Sequence, residues 1–168
     1  MDQVDLNKLW QNFTDTITNH YSDLNGRVGR AQYWYYILVY VIVGVLISLV
    51  SSFMFFAGAL STLYSLALLL PTIGMTARRL QDTGRPGTWA WILAIPIGYS
   101  MVALLFSTLM FGPGSILYLI IPFFRFVAVG AILVLIISCA QPGQSDANQY
   151  GPAPPPWPPA GSAPQGKT

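Results

Sequence analysis

Two long stretches without a charged side chain dominate this sequence: no Asp, Glu, Lys or Arg occurs from Ala31 to Ala77 or from Pro86 to Phe124. Charged residues make up 8% of the chain and apolar residues 54%, whereas charged residues are roughly a quarter of an ordinary soluble domain. If the chain folded in water, such stretches would leave large apolar patches exposed. The pattern therefore predicts an all-α integral membrane protein, a bundle of transmembrane helices.

Four apolar stretches predict four transmembrane helices within a membrane domain of residues 25–140. A helix needs about 20 apolar residues to cross the hydrocarbon core. The expected spans are approximately residues 33–56, 63–77, 88–111 and 116–140. Uncharged turns separate the first span from the second and the third from the fourth, and a charged loop joins the two pairs.

The N-terminal segment, residues 1–24, has the spacing of an amphipathic helix. Its apolar side chains recur at helical intervals: Leu6, Leu9, Trp10, Phe13, Ile17 and Tyr21. Polar residues fill the other face, so we expect a helix that lies at the membrane surface. A helix packed against another protein domain is the alternative.

Basic residues are distributed unevenly between the ends of the spans. Lys8, Arg27 and Arg30 precede the first span, and the loop 78–88 carries three arginines. The turns at 58–62 and 112–115 carry none. Because Lys and Arg collect on the cytoplasmic side, the N-terminus, this loop and the tail are all expected in the cytoplasm. With three spans instead of four, the tail would lie outside.

Residues 141–168 form a tail that becomes rich in proline, with the stretch GPAPPPWPPAGSAPQG. This composition predicts disorder with polyproline II character, and a binding site for a protein partner. We expect Asn148, Tyr150 and Gly151 to dock the start of the tail against the arginine loop.

Three motifs follow one another along the chain: GRVGRAQYW at 26–34, RRLQDTGRPGTWAW at 78–91 and NQYGPAP at 148–154. Together they resemble the DUF805 family of bacterial inner-membrane proteins of unknown function, over about residues 22–154. The resemblance implies a location in the bacterial inner membrane and no particular reaction. Gln81 stands where the family usually has histidine, so any proton transfer or metal binding by that histidine is excluded here.

Six residues at the expected cytoplasmic side form a basic cluster: Arg27, Arg30, Arg78, Arg79, Asp82 and Arg85. They either set the topology and anchor the interface, or bind anionic lipid headgroups, which basic residues attract at roughly 1 kcal/mol each. Asp82 is interpreted as an ion-pair partner that fixes the hairpin, with a catalytic carboxylate as the alternative. Arg125 is either an intramembrane polar residue that needs a partner or a marker of the outer interface.

The patterns favour a non-enzymatic inner-membrane scaffold or interaction module with an arginine-rich cytoplasmic face. One alternative is a protein that binds or transports an anionic lipid or a small molecule, and another is an interfacial enzyme that uses Asp82. A net charge of +2 gives no case for nucleic acid. With one cysteine, Cys139, and one histidine, His20, we expect no metal or cofactor.

Overall fold

The computed structural model describes residues 6–53, 57–95, 98 and 117–157. The α-helices in these residues are α1, Leu6–Thr18, α2, Arg30–Ser51, α3, Ala57–Asp82, and α4, Leu117–Ala140. A 3₁₀ helix, Gly87–Ala94, follows α3. The all-helical prediction is confirmed for this part of the chain.

The predicted spans agree with the helices to different degrees. The first corresponds to α2 and the fourth to α4, whereas α3 is longer than the predicted 63–77 at both ends. The arginines that the sequence placed in a loop, Arg78 and Arg79, therefore lie in the last turns of α3. The segment predicted as the third span, 88–111, begins with the 3₁₀ helix, and nearly all of its remainder lies outside the described residues.

Two of the described helices are long and apolar enough to cross a membrane, Arg30–Ser51 and Leu60–Asp82, and a shorter apolar helix covers Phe126–Ala140. The α2 helix exposes a continuous apolar surface, including Leu38, Val41, Ile42, Val45, Leu46 and Leu49. A surface of this kind is unfavourable in water and is solvated by lipid tails.

The core lies where α1, α2 and α3 meet, and its aromatic rings form a continuous series. Phe13 stacks on Tyr36 with ring centroids 5.5 Å apart, and Tyr40 stacks on Tyr64 at 5.6 Å. Two tyrosine hydroxyls bond across the interface between α2 and α3. Tyr36 Oη of α2 lies 3.0 Å from Thr72 Oγ1 of α3, and the Tyr64 hydroxyl of α3 donates to the Tyr40 carbonyl of α2 at 2.7 Å. The rings therefore pack without leaving these hydroxyls unsatisfied.

Pro71 lies inside α3, where it removes the helical hydrogen bond that would reach the carbonyl of Ala67. Tyr21, which follows α1, donates its hydroxyl to that carbonyl at 2.6 Å. Because residue 71 has no N–H, this carbonyl lacks its helical donor. The bond from Tyr21 replaces that donor and ties the N-terminal segment to α3.

The chain between α1 and α2 passes directly over α3. A Cβ at Gly74 would lie 2.7 Å from the carbonyl oxygen of Asp23, so the two backbones can approach this closely only at a glycine. Gly26, with φ of +111°, then turns the chain, and Val28 donates its N–H to the Arg78 carbonyl at 3.3 Å. This path fixes the backbone that carries Arg27 against the end of α3.

We predict that Tyr21→Phe lowers stability by about 1 kcal/mol, because it leaves the Ala67 carbonyl without a donor. The loss should be smaller in a Pro71→Ala background, in which residue 71 regains an N–H that reaches this carbonyl. Thermal unfolding of the four proteins in detergent measures the coupling. Equal losses in both backgrounds would contradict the assigned role of Tyr21.

Candidate functional site

The end of α3 carries an ion triad, which we define as Arg27, Arg79 and Asp82. Asp82 is the last residue of α3, and Arg79 precedes it by one turn. Asp82 Oδ1 accepts a hydrogen bond from Arg27 Nε at 3.0 Å and lies 2.9 Å from Arg27 Nη2, while Oδ2 accepts a hydrogen bond from Arg79 Nη1. The side chains of Arg27, Arg79 and Asp82 are 1%, 0% and 3% exposed, so the triad is enclosed.

The triad contains two positive charges and one negative charge, and backbone carbonyls offset the excess. Arg79 donates from Nε to the Cys139 carbonyl at 2.9 Å, and from Nη2 to the Gln141 carbonyl. These acceptors lie at the C-terminal end of α4, where carbonyls lack helical partners and the helix dipole is negative. Arg79 therefore caps α4 while it pairs with Asp82.

Arg27 holds the chain that follows α4. We call residues 141–157 the docked segment. Arg27 donates from Nη1 to the Asp146 carbonyl at 2.7 Å and to the Gly151 carbonyl at 3.2 Å, and from Nη2 to the Gln144 carbonyl. One guanidinium thus binds the Asp82 carboxylate and three carbonyls of the docked segment.

The docked segment in turn satisfies carbonyls at the end of α3. Gln144 donates its N–H to the Asp82 carbonyl at 2.9 Å, and Asn148 donates from Nδ2 to the Gln81 carbonyl at 2.9 Å. A Cβ at Gly143 would lie 2.0 Å from Asp82 Oδ2, so the segment passes directly against the carboxylate. The docked segment thus supplies donors to carbonyls at the end of α3, and Arg27 supplies donors to carbonyls of the docked segment.

The predicted docking residues form a compact turn within this segment. Asn148 and Gly151 exchange two backbone hydrogen bonds of 3.0 Å, and Asn148 Oδ1 accepts the Tyr150 N–H at 2.9 Å. Gly151 has a φ of +128°, which favours glycine. Asn148 contacts the arginine loop through the Gln81 carbonyl, whereas Gly151 contacts Arg27, which precedes α2. The initial part of the tail, for which disorder was predicted, makes specific contacts here, whereas residues 158–168 lie outside the described part.

The other members of the basic cluster lie apart from the triad. Arg78 is buried and directs Nη2 to Met75 Sδ at 3.2 Å, with no carboxylate within 4 Å among the described residues. Arg85 donates to the Ser138 carbonyl at 3.4 Å, and Arg30 is exposed at the start of α2. Of the two adjacent arginines, Arg79 pairs with Asp82 and Arg78 does not. The headgroup alternative would rest on Arg30 and Arg85, since the triad is enclosed.

Gln81 has a structural contact that the sequence did not reveal. It is buried and donates from Nε2 to the Leu24 carbonyl at 3.0 Å, which holds the chain between α1 and α2 against α3. Arg125 belongs to α4, but its side chain lies outside the described residues.

The surface near α1 carries a separate acid–histidine contact. His20 Nδ1 lies 2.7 Å from Asp23 Oδ2, and this hydrogen bond lowers the pKa of Asp23 from its ordinary value. Among the described residues, no group of three or more His, Cys, Asp or Glu side chains is arranged to hold a metal ion.

We predict that Asp82→Asn destabilises the protein by about 3–5 kcal/mol, because it leaves two buried guanidinium groups without a counter-charge. Asp23→Asn is the matched control: Asp23 is half exposed and its loss should have little effect. Thermal unfolding of both variants in detergent tests this. Equal unfolding temperatures would show that the triad does not stabilise the fold.

Comparison with known proteins identifies a family and several relatives. The family model of DUF805, a protein family of unknown function, matches residues 21–152, which include the whole triad and most of the docked segment. Inner membrane protein YhaI of Escherichia coli K12 is 35% identical over 95 residues, which cover 55% of this chain and 80% of the relative. Inner membrane protein YhaH of the same strain is 29% identical over 104 residues, 59% of this chain and 86% of the relative.

No solved structure matches the chain. The family match spans most of the sequence, the relatives are inner-membrane proteins, and the structure has apolar helices of membrane-spanning length. The chain is therefore a membrane protein that belongs to the DUF805 family.

Proposed function

We propose that this protein is a non-enzymatic scaffold of the bacterial inner membrane, in which the ion triad holds the docked segment on the cytoplasmic face and presents the proline-rich chain to a partner. The observation that carries this proposal is the set of bonds made by Arg27, which joins Asp82 to the carbonyls of Gln144, Asp146 and Gly151. These bonds fix the path of the docked segment, and with it the position on the protein from which the proline-rich chain extends.

The position of the chain ends supports four spans. The start of α2, the end of α3 and the end of α4 all lie at the triad, as its contacts require. The chain therefore leaves this end at Arg30, returns by Asp82, and is there again at Cys139. The chain from Arg30 to Asp82 and the chain from Asp82 to Cys139 would then each cross the membrane an even number of times, which two spans apiece satisfy. The positive-inside rule assigns the triad end to the cytoplasm.

The exposure of α1 supports a location at the membrane surface. Leu9 and Phe13 pack into the core, whereas Leu6 is 77% exposed and Trp10 is 55% exposed. A helix with apolar residues on its outward side as well is suited to the boundary between headgroups and acyl chains.

The environment of Asp82 supports a structural rather than a catalytic role. Both carboxylate oxygens accept bonds from guanidinium groups, and the side chain is enclosed. A general acid or base needs access to the proton that it transfers. Neither oxygen has that access while the docked segment is in place.

Reporter fusions test the topology. We expect fusions before α1 and after residue 157 to report the cytoplasm, and a fusion between α2 and α3 to report the opposite side. A fusion after residue 157 that reports the periplasm would contradict both the four-span arrangement and the presentation of the tail to cytoplasmic partners.

Arg27→Ala should release the docked segment, whereas Arg30→Ala should not, because Arg30 is exposed and outside the triad. We expect amide hydrogen exchange at residues 144–151 to become faster in Arg27→Ala in nanodiscs, with α2 and α3 still protected. Unchanged exchange in this segment would show that Arg27 does not hold it. A general loss of protection would indicate misfolding, and Arg27→Lys, which keeps the charge but loses the forked geometry, then provides the milder test.

A further inference from the structure

The docked segment ends in a stretch whose backbone is restricted almost residue by residue. Residues 152–157 read PAPPPW, and prolines follow residues 153, 154, 155 and 157. Gly151, with its positive φ, belongs to the turn that precedes this stretch. Proline fixes its own φ near −65°, and a residue that precedes proline is confined to extended or polyproline II conformations. Residues 153–156 lie in neither helix nor strand. Polyproline II is the conformation that these restrictions leave.

The burial pattern has the period of such a helix. Pro154 and Trp157 are half-buried, whereas residues 152, 153, 155 and 156 are exposed. A polyproline II helix has three residues per turn, so residues three apart share one edge. One edge thus faces the protein and the other two face outward.

The buried edge matches the first turns of α2 in spacing. Pro154 covers Gly29, where a Cβ would lie 4.0 Å from its Cγ, and the Trp157 ring lies 5.0 Å from the Tyr35 ring between centroids. From residue 154 to 157 a polyproline II helix advances about 9 Å. From residue 29 to 35 an α-helix also advances about 9 Å. The prolines therefore lie along α2 in register, with two contacts that hold their orientation.

We infer that the exposed edge formed by Pro152 and Pro155 is a preformed recognition site for a protein domain with an aromatic-lined groove that binds polyproline II helices. Residues 152–155 read PAPP, and the first and last prolines of a PxxP sequence lie on one edge, which is the form such grooves recognise. Docking on α2 removes the conformational freedom that a free tail would lose on binding. The inference rests on the proposed function, since it identifies the kind of partner that the scaffold presents its prolines to.

The first experiment tests whether the stretch is docked on α2 with the edge formed by Pro152 and Pro155 exposed. The chain has one cysteine, Cys139, which is buried, so a Cys139→Ser background accepts single cysteines at positions 152–157. In nanodiscs, a water-soluble maleimide should react quickly at 152, 153, 155 and 156 and slowly at 154 and 157. Uniform reaction would show an undocked tail and would overturn the proposed function as well. Slow reaction at 152 and 155 would show that lipid covers this edge, and would overturn the inference alone.

The second experiment tests the partner class with a panel of isolated SH3 and WW domains as probes. We expect at least one domain to bind the full chain in nanodiscs, and Pro155→Ala to weaken that binding about tenfold, or about 1.4 kcal/mol. Pro154→Ala is the matched control, because it removes the same ring from the docked edge and should weaken binding much less. If the maleimide pattern shows docking but no domain of the panel binds, the inference is overturned and the docking stands. The same conclusion follows if Pro155→Ala and Pro154→Ala weaken domain binding equally.

Discussion

The rest of the structure depends on a carboxylate that pairs with two buried guanidinium groups. Asp82 lies between Arg27 and Arg79, and without it two cations would be enclosed with no counter-charge. Burial of ions is expensive, so the arrangement persists only because nearly every donor finds an acceptor. The acceptors come from the ends of α3 and α4 and from the docked segment. The ion triad thereby connects the chain before α2, the end of α3 and the chain after α4.

The two helix ends explain why the excess positive charge is tolerated. The last carbonyls of a helix have no helical donors and carry a partial negative charge. Arg79 binds the Cys139 carbonyl at the end of α4, and the docked segment donates to the carbonyls of Gln81 and Asp82 at the end of α3. Groups that would each be costly if buried without a partner satisfy one another.

Much of this fold could be predicted from the sequence, because membrane helices leave a strong signal in uncharged stretches. The helices α2 and α4 lie where apolar runs predicted spans, and the ion pair expected for Asp82 is made with Arg79, one turn before it. The pairing of Arg27 with Asp82 could not be predicted in the same way, since the two residues are 55 positions apart. The carbonyls that Arg27 and Arg79 bind leave no side-chain signature, and neither does the bond from Tyr21 that compensates for Pro71.

The tail shows why composition alone describes a proline-rich segment incompletely. Prolines prevent a packed core, which is the basis for predicting disorder, but they also fix φ and lower the entropy that docking must overcome. A few contacts then suffice to hold the segment: Arg27 binds the Gly151 carbonyl just before the prolines begin, and the Trp157 ring packs against the Tyr35 ring. The stiffness that keeps these residues out of a core thus carries the orientation set at the triad outward along α2.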